Sequence, residues 1–396
     1  LNFYRAALNG DEKAGLNQKE GKGGTAVSDD ELESLKKRVE ELERKLQEPA
    51  SPPVAPVTPE RQMSSARTVF NPEISVIGDF TWRINYDKER DGGQPFSMRE
   101  LEFGIQSYID PFSRADIFLG LHKEDQQSAS GGEYHLHLEE AYATLFRLPL
   151  ETQGKVGKYK MNFGNANATH LHALETVDYP LMVKNFFGEE GLSTTGASLS
   201  ALLPFSFSSE FTLQTGNEEN DTSFSGGQNG KLLFLGRWNN YWDVTDATNF
   251  SLGFSYLSGY NDPAASSLSR LWGGDLTWRW KPLREGMYKS FLWRTEYLKS
   301  QRDSHDASTA SQGYYSLMQY QLNRCFYVGA RYDYAEYPED NKNNEKGASF
   351  FFNYYPTEFM RYELQHSQID NTLRGLTPEW WFRMIFILGP HGAHKF

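Results

Sequence analysis

From about residue 72 onward, bulky apolar groups and charged groups take turns along this chain. The stretch "DLTWRW" sets Asp275, Thr277 and Arg279 against Leu276, Trp278 and Trp280. "LWRTEY", "ARYDY" and "MRYELQ" repeat the pattern, with Arg294 and Glu296, then Arg331 and Asp333, then Arg361 and Glu363, on the polar side. Successive side chains of a strand point to opposite faces, so a period of two marks a strand with one polar and one apolar face. Such segments fall near 73–86, 96–109, 114–124, 134–147, 154–163, 192–203, 206–215, 230–242, 247–259, 269–281, 288–299, 312–322, 324–336, 346–355, 358–369 and 379–389, about sixteen in all. A tilted strand of about 9–11 residues crosses a bilayer, and these segments reach that length.

The decisive question is which face points inward. In a soluble sandwich the apolar faces meet inside and the arginines lie outside. Here the apolar face carries Trp, Tyr or Phe on nearly every segment, in a chain that is 15% aromatic yet has a mean hydropathy of −0.64. No packed core absorbs so many rings, whereas a lipid-facing belt uses them. The sequence therefore predicts an all-β fold: a transmembrane antiparallel barrel of about sixteen strands, apolar outside and polar within. A barrel of that size is too wide for side chains to fill, and closure satisfies every backbone group in hydrocarbon.

The spacing between segments agrees. Short turns ("DPFS", "LPF", "LNR", "YPTE") are expected to alternate strictly with longer polar loops ("KEDQQSASGGE", "NEENDTSFSGGQN", "QRDSHDASTAS", "PEDNKNNE"), as in outer-membrane barrels. Ahead of the barrel, assigned to 72–396, residues 1–27 read as a flexible tail and 28–48 as a coiled-coil helix. In that helix Ser28 and Glu31 have capping-box spacing, and Leu32, Leu35, Val39, Leu42 and Leu46 follow heptad spacing. So short a helix is marginal alone, so these residues are candidates for self-association. Residues 49–71 are a proline-rich linker. The even strand count puts both barrel ends, and the N-terminal region, on the periplasmic side.

Several classes drop out. A formal charge of −12 argues against nucleic acid as a partner. The single cysteine, Cys325, allows no disulfide framework and no thiolate metal cluster. No C-x-x-C-H motif attaches haem to this chain, and no nucleophile elbow or glycine-rich phosphate loop points to an enzyme.

Two sets of residues are candidate sites. Asp79, Arg83, Glu100, Glu102, Glu139, Lys158, Lys160, Arg237, Asp275, Arg279, Arg294, Glu296, Arg331, Asp333, Arg361, Glu363 and Arg383 fall on the polar face of the expected strands. They line the pore in this reading, either as opposed charge rows that orient water and small solutes or as pairs that stiffen the wall. A one-residue register slip would exchange the faces of any strand. The second set is histidine. His135 and His137 alternate with leucines in "EYHLHLEEAYATLF", His122 ends the preceding segment, and His170 and His172 lie in "GNANATHLHALETVDYPLMVKNFFGEEG", the longest connection of the barrel. Loops of that length usually carry function, and this one is expected to fold inward. Five imidazoles with Glu139, Glu140 or Asp178 nearby suit zinc, copper or nickel. Ordinary polar wall residues are the alternative.

The segments "GKVGKYKMNFG" and "GLSTTGASLSALLPF", on either side of that long loop, make the chain resemble the phosphate-selective porin O and P superfamily. The ending "WWFRMIFILGPHGAHKF", with a terminal Phe396, is similar to the signal read by outer-membrane barrel assembly machinery. The resemblance covers residues 72–396 and implies sixteen strands, trimers and a loop folded into the pore. That family takes phosphate through many basic residues; the mixed acids and arginines here depart from it. The expected function is a passive or weakly selective outer-membrane channel for small hydrophilic solutes or ions in a Gram-negative bacterium. Two alternatives stay open: a sheath around a partner multihaem cytochrome, which would bring the haem, and a zinc uptake channel.

Overall fold

The computed structural model describes residues 33, 36–38, 72–85, 95–123, 134–217, 220, 222–225, 230–262, 267–305 and 307–389. The chain divides into two compact units, Leu1–Arg61 and Gln62–Phe396. In the first, Glu33 and residues 36–38 are helical. The heptad residues Leu32, Leu35, Val39, Leu42 and Leu46, the tail 1–27, the linker 49–71 and Phe396 lie outside the described residues.

The second unit is a closed antiparallel barrel of sixteen strands, as the alternation predicts. In chain order they are β1 (Glu73–Asn85), β2 (Phe96–Asp110), β3 (Ser113–Lys123), β4 (Tyr134–Leu148), β5 (Thr152–Lys160), β6 (Ser193–Leu202), β7 (Ser208–Asn217) and β8 (Leu232–Thr245). The second half comprises β9 (Thr248–Tyr260), β10 (Leu268–Trp280), β11 (Phe291–Asp303), β12 (Ser308–Gln321), β13 (Phe326–Glu336), β14 (Asn344–Thr357), β15 (Met360–Asn371) and β16 (Gly375–Leu388). Each strand pairs with its sequence neighbours, and β1 closes on β16 from Val76–Leu388 to Asn85–Glu379. Closure leaves no open sheet edge.

Tight turns are fixed by short polar side chains. Asp110 Oδ1 accepts the Phe112 N–H at 2.7 Å, and Asn323 Oδ1 accepts the Cys325 and Phe326 N–H groups at 2.9 and 3.1 Å. These are Asx turns, in which the side chain stands in for a backbone carbonyl. Strict short–long alternation does not hold. The β11–β12 ladder continues through Gln301–Ala310 and Asp303–Ser308, so "QRDSHDASTAS" is largely strand. On the short-turn rim, residues 281–290 form a ten-residue connection.

The faces are sorted as an inverted sheet. Trp82, Phe234, Trp272, Tyr332, Phe350 and Phe382 are exposed outward, with Phe350 at 63%. Inward neighbours are buried polar groups such as Asp79, Glu102, Asp275, Asp333, Glu363 and Arg383. Outward rings also stack between adjacent strands: Phe326 and Tyr354 lie 4.6 Å apart at their centroids.

Candidate functional site

The barrel interior is crossed by residues 161–192, the connection from β5 to β6. Its two ends are stapled by one side chain. Asn167 Nδ2 donates to the Met161 and Leu192 carbonyls at 2.7 and 3.0 Å, and Asn167 Oδ1 accepts the Leu192 N–H at 2.6 Å. At Gly164 (φ +64°) a Cβ would sit 2.0 Å from Glu296 Oε2, so only glycine lets the backbone pass so close to the wall. Glu296 Oε1 accepts the Ala166 N–H at 2.9 Å and the Tyr315 hydroxyl at 2.7 Å.

On one side the loop is apolar. The helix α1 (Leu181–Phe187) buries Leu181, Met182, Val183, Phe186 and Phe187. Four of these join one cluster with inward-facing Leu233, Leu235, Leu257, Leu271, Leu298 and Tyr315 of β8–β12. On the other side the loop is held by arginines. Arg383 donates to the Leu171 carbonyl at 3.0 Å, Arg361 to Leu174 at 2.5 Å and Arg99 to Val177 at 2.7 Å. Arg294 pairs with Glu175 at 2.9 Å and Arg331 with Asp178 at 3.0 Å. Burial pushes Asp178 up, but Arg331 and Lys184 beside it win and hold it at about 2. Glu175 is lowered in the same way, chiefly by Arg294 against burial.

The expected wall residues thus occupy the inner side, with one exception. Asp79 binds Arg99 and Arg383, Arg83 binds Glu379, Arg237 binds Asp275, and Arg331 binds Asp333. Arg361 and Arg383 flank Glu363. Lys160, at the point where the chain bends inward, donates to the Glu190 carbonyl at 2.6 Å. Lys158 is the exception. It pairs with Ala141 and Thr195 and shares its face with Val156, which is 55% exposed, so it lies on the outer surface. Lys155, which the sequence reading passed over, takes the inward position and lies 3.8 Å from the Tyr142 ring centroid.

Two bulges reshape the inner wall near the histidines. Registers shift between Asp79 and Phe80 opposite β2 and between Phe118 and Leu119 opposite β4. Arg99 and Glu139 are the extra residues, so Arg99 and Glu100 both face inward, as do Glu139 and Glu140. The five histidines converge on this sector. His122 Nε2 lies 2.8 Å from Glu139 Oε1, and His170 Nε2 lies 2.7 Å from Glu140 Oε1. The His135 and His137 rings are 6.4 Å apart, and His137 is 5.8 Å from His122. Burial pushes His170 down, but the Glu102, Glu139 and Glu140 carboxylates around it carry it well above the ordinary imidazole value. Two triads have ligand atoms within 4.8 Å of one another: Glu102, His170 and His172, and Glu100, His122 and Glu139. His135 and His137 belong to neither. Pairing the histidines with Glu102 was beyond sequence reasoning, because 68 residues separate Glu102 from His170 (170 − 102).

Against the loop lies a cavity of about 510 Å³. Ser, Thr, Asn and Gln dominate its wall, with Arg114, Lys155, Lys160, Arg237, Arg279 and Arg294 against Asp116, Glu140 and Glu210. Arg114 and Asp116 pair at 2.9 Å, and Arg237 and Asp275 at 2.7 Å. Arg279 has no such carboxylate partner among the described residues.

No family model matches this sequence. An uncharacterised protein of Aquifex aeolicus is 25% identical over 399 residues, spanning 84% of this chain and 81% of that one. Among solved structures, an anion-selective porin from Comamonas acidovorans superposes with a TM-score of 0.55 at 11% identity, over 80% of this chain and 99% of the porin. The trimer form of OmpT, an outer membrane protein of Vibrio cholerae, superposes with a TM-score of 0.52 at 8% identity, over 80% and 99% of the two chains. At such identities the likeness is one of fold: this chain shares the sixteen-stranded architecture of outer-membrane porins.

Proposed function

We propose that this protein is an outer-membrane diffusion channel for small hydrophilic solutes, narrowed by its own loop 161–192. The observation that carries the reading is the pairing of an apolar, ring-studded exterior with a polar cavity beside an inward loop. A cavity of about 510 Å³ suits a small solute. Several of its arginines are neutralised by carboxylates, but Arg279, which has no carboxylate partner among the described residues, favours anions modestly over cations. The porin named above, with which the barrel shares its fold, is itself described as anion-selective.

The same loop weighs against the cytochrome sheath, because α1 and its apolar cluster take the space that a haem protein would need. Trimer formation rests on a fold likeness to a trimeric barrel and on the heptads of residues 28–48. Size-graded uptake by proteoliposomes tests the proposal. Small sugars and organic acids should enter while larger oligosaccharides stay out. A folded barrel that passes no solute would refute it, and haem copurifying one-to-one would favour the sheath.

A further inference from the structure

Glu102 is a buried carboxylate that the loop contacts do not explain. It is 1% exposed, and although it forms an ion pair with His170, neither of its oxygens receives a well-aligned hydrogen bond among the described residues. A desolvated carboxylate left in that state is costly, so its surroundings deserve a specific account. Two imidazole nitrogens face it: His170 Nδ1 lies 3.2 Å and His172 Nδ1 3.7 Å from Glu102 Oε2. A fourth donor, Glu139 Oε2, lies 3.4 Å from His170 Nδ1.

We infer that Glu102, His170 and His172 form a binding site for a divalent transition metal of the zinc class, with Glu139 as a further ligand. The donor spacing fits: bonds of about 2.0–2.1 Å in a tetrahedron put ligand atoms about 3.3 Å apart. The chemistry fits as well, since two imidazoles with carboxylates and no thiolate suit zinc better than calcium or magnesium. The orientation of His170 is already fixed. Its Nε2 lies 2.7 Å from Glu140 Oε1, the carboxylate–imidazole arrangement that stands behind metal-bound histidines. Glu139 is oriented likewise, through Oε1 to His122 Nε2 at 2.8 Å. Gly120 keeps this space open, because a Cβ there would sit 1.9 Å from Glu139 Oε1.

The ligands come from two parts of the chain. Glu102 and Glu139 are on wall strands and the imidazoles are on the loop, so a bound ion clasps the loop to the wall. This follows from the site geometry and stands apart from the channel reading.

The test is zinc titration of the full-length, chelator-stripped protein in detergent, by calorimetry and metal analysis, with folding checked by heat-modifiable gel migration. The wild type should bind one zinc ion at this site. The isosteric Glu102→Gln and, as a second variant, His172→Gln should each weaken binding by more than about 100-fold. Glu140→Gln, one step removed, should cost about 10- to 100-fold. His135→Ala/His137→Ala should bind as the wild type does. X-ray absorption at the zinc edge should show imidazole nitrogen with carboxylate oxygen. No binding, binding unchanged in both Glu102→Gln and His172→Gln, or loss confined to the His135/His137 variant would each overturn the inference.

Discussion

Two sectors of the inner wall hold one loop by different physics. Along β8–β12 the wall contributes Leu233, Leu235, Leu257, Leu271 and Leu298 to the apolar cluster completed by Met182, Val183, Phe186 and Phe187 of α1, which itself lies against β12–β14. Along β13–β16 and β1–β2 it offers Arg331, Arg361, Arg383 and Arg99 to loop carbonyls and carboxylates. The apolar sector works by area removed from water and is insensitive to charge. The arginine sector works by planar forks that reach several acceptors at once, which fixes the loop in register. A barrel too wide to fill with side chains is thus filled with its own chain, where the wall supplies one patch of core and one of ion pairs.

The largest expected effect lies in the apolar sector. Phe186 is fully buried, and Phe186→Ala should cost about 3–5 kcal/mol of loop docking, read as lost hydrogen-exchange protection across 161–192. Protection unchanged there would mean that the loop does not depend on this patch. Next comes the staple. Asn167→Ala leaves the buried Leu192 N–H without its acceptor, while the Met161 carbonyl keeps the Phe163 N–H, and should cost about 1–3 kcal/mol, measured in the same way.

A pH series separates the two sectors. Asp178 is held at about 2 against an ordinary 3.8, so its contribution is complete above pH 4 and fades as pH falls toward 2. The loss of roughly 2 kcal/mol should loosen residues around Asp178 and spare those around Phe186. Equal loosening in both would erase the distinction. The smallest effect concerns permeation: Arg279→Glu removes a cavity-lining cation without a carboxylate partner and should shift reversal potentials toward cations, with the fold intact.

The barrel was legible because a two-residue period, repeated over about sixteen segments, leaves few alternatives. Register was less so. In "GKVGKYK" the lysines sit at 155, 158 and 160, and no single alternation places them all; ladder pairing, not composition, turns Lys155 inward and Lys158 outward. The bulges did leave a trace. "MRELE" and "HLEEA" each put two polar residues where alternation calls for one, at Arg99–Glu100 and Glu139–Glu140. The apolar inner patch left one as well, since "LLFL" at 232–235 is greasy on both faces, the mark of a strand buried on both sides. What no local pattern holds is the meeting of Glu102 with His170 and His172, which depends on where a long loop lands.

In the proposed channel, loop 161–192 sets the width of the passage. Its ends lie together, with the Met161 N–H donating to the Leu192 carbonyl at 3.0 Å, so residues 164–190 can be replaced by a two-residue turn. Single-channel conductance of the two proteins in planar bilayers distinguishes a constricting loop from a passive one. The intact protein should conduct in small steps and the shortened one in clearly larger steps. Equal conductance, or none from either folded barrel, would mean that the loop does not narrow a channel.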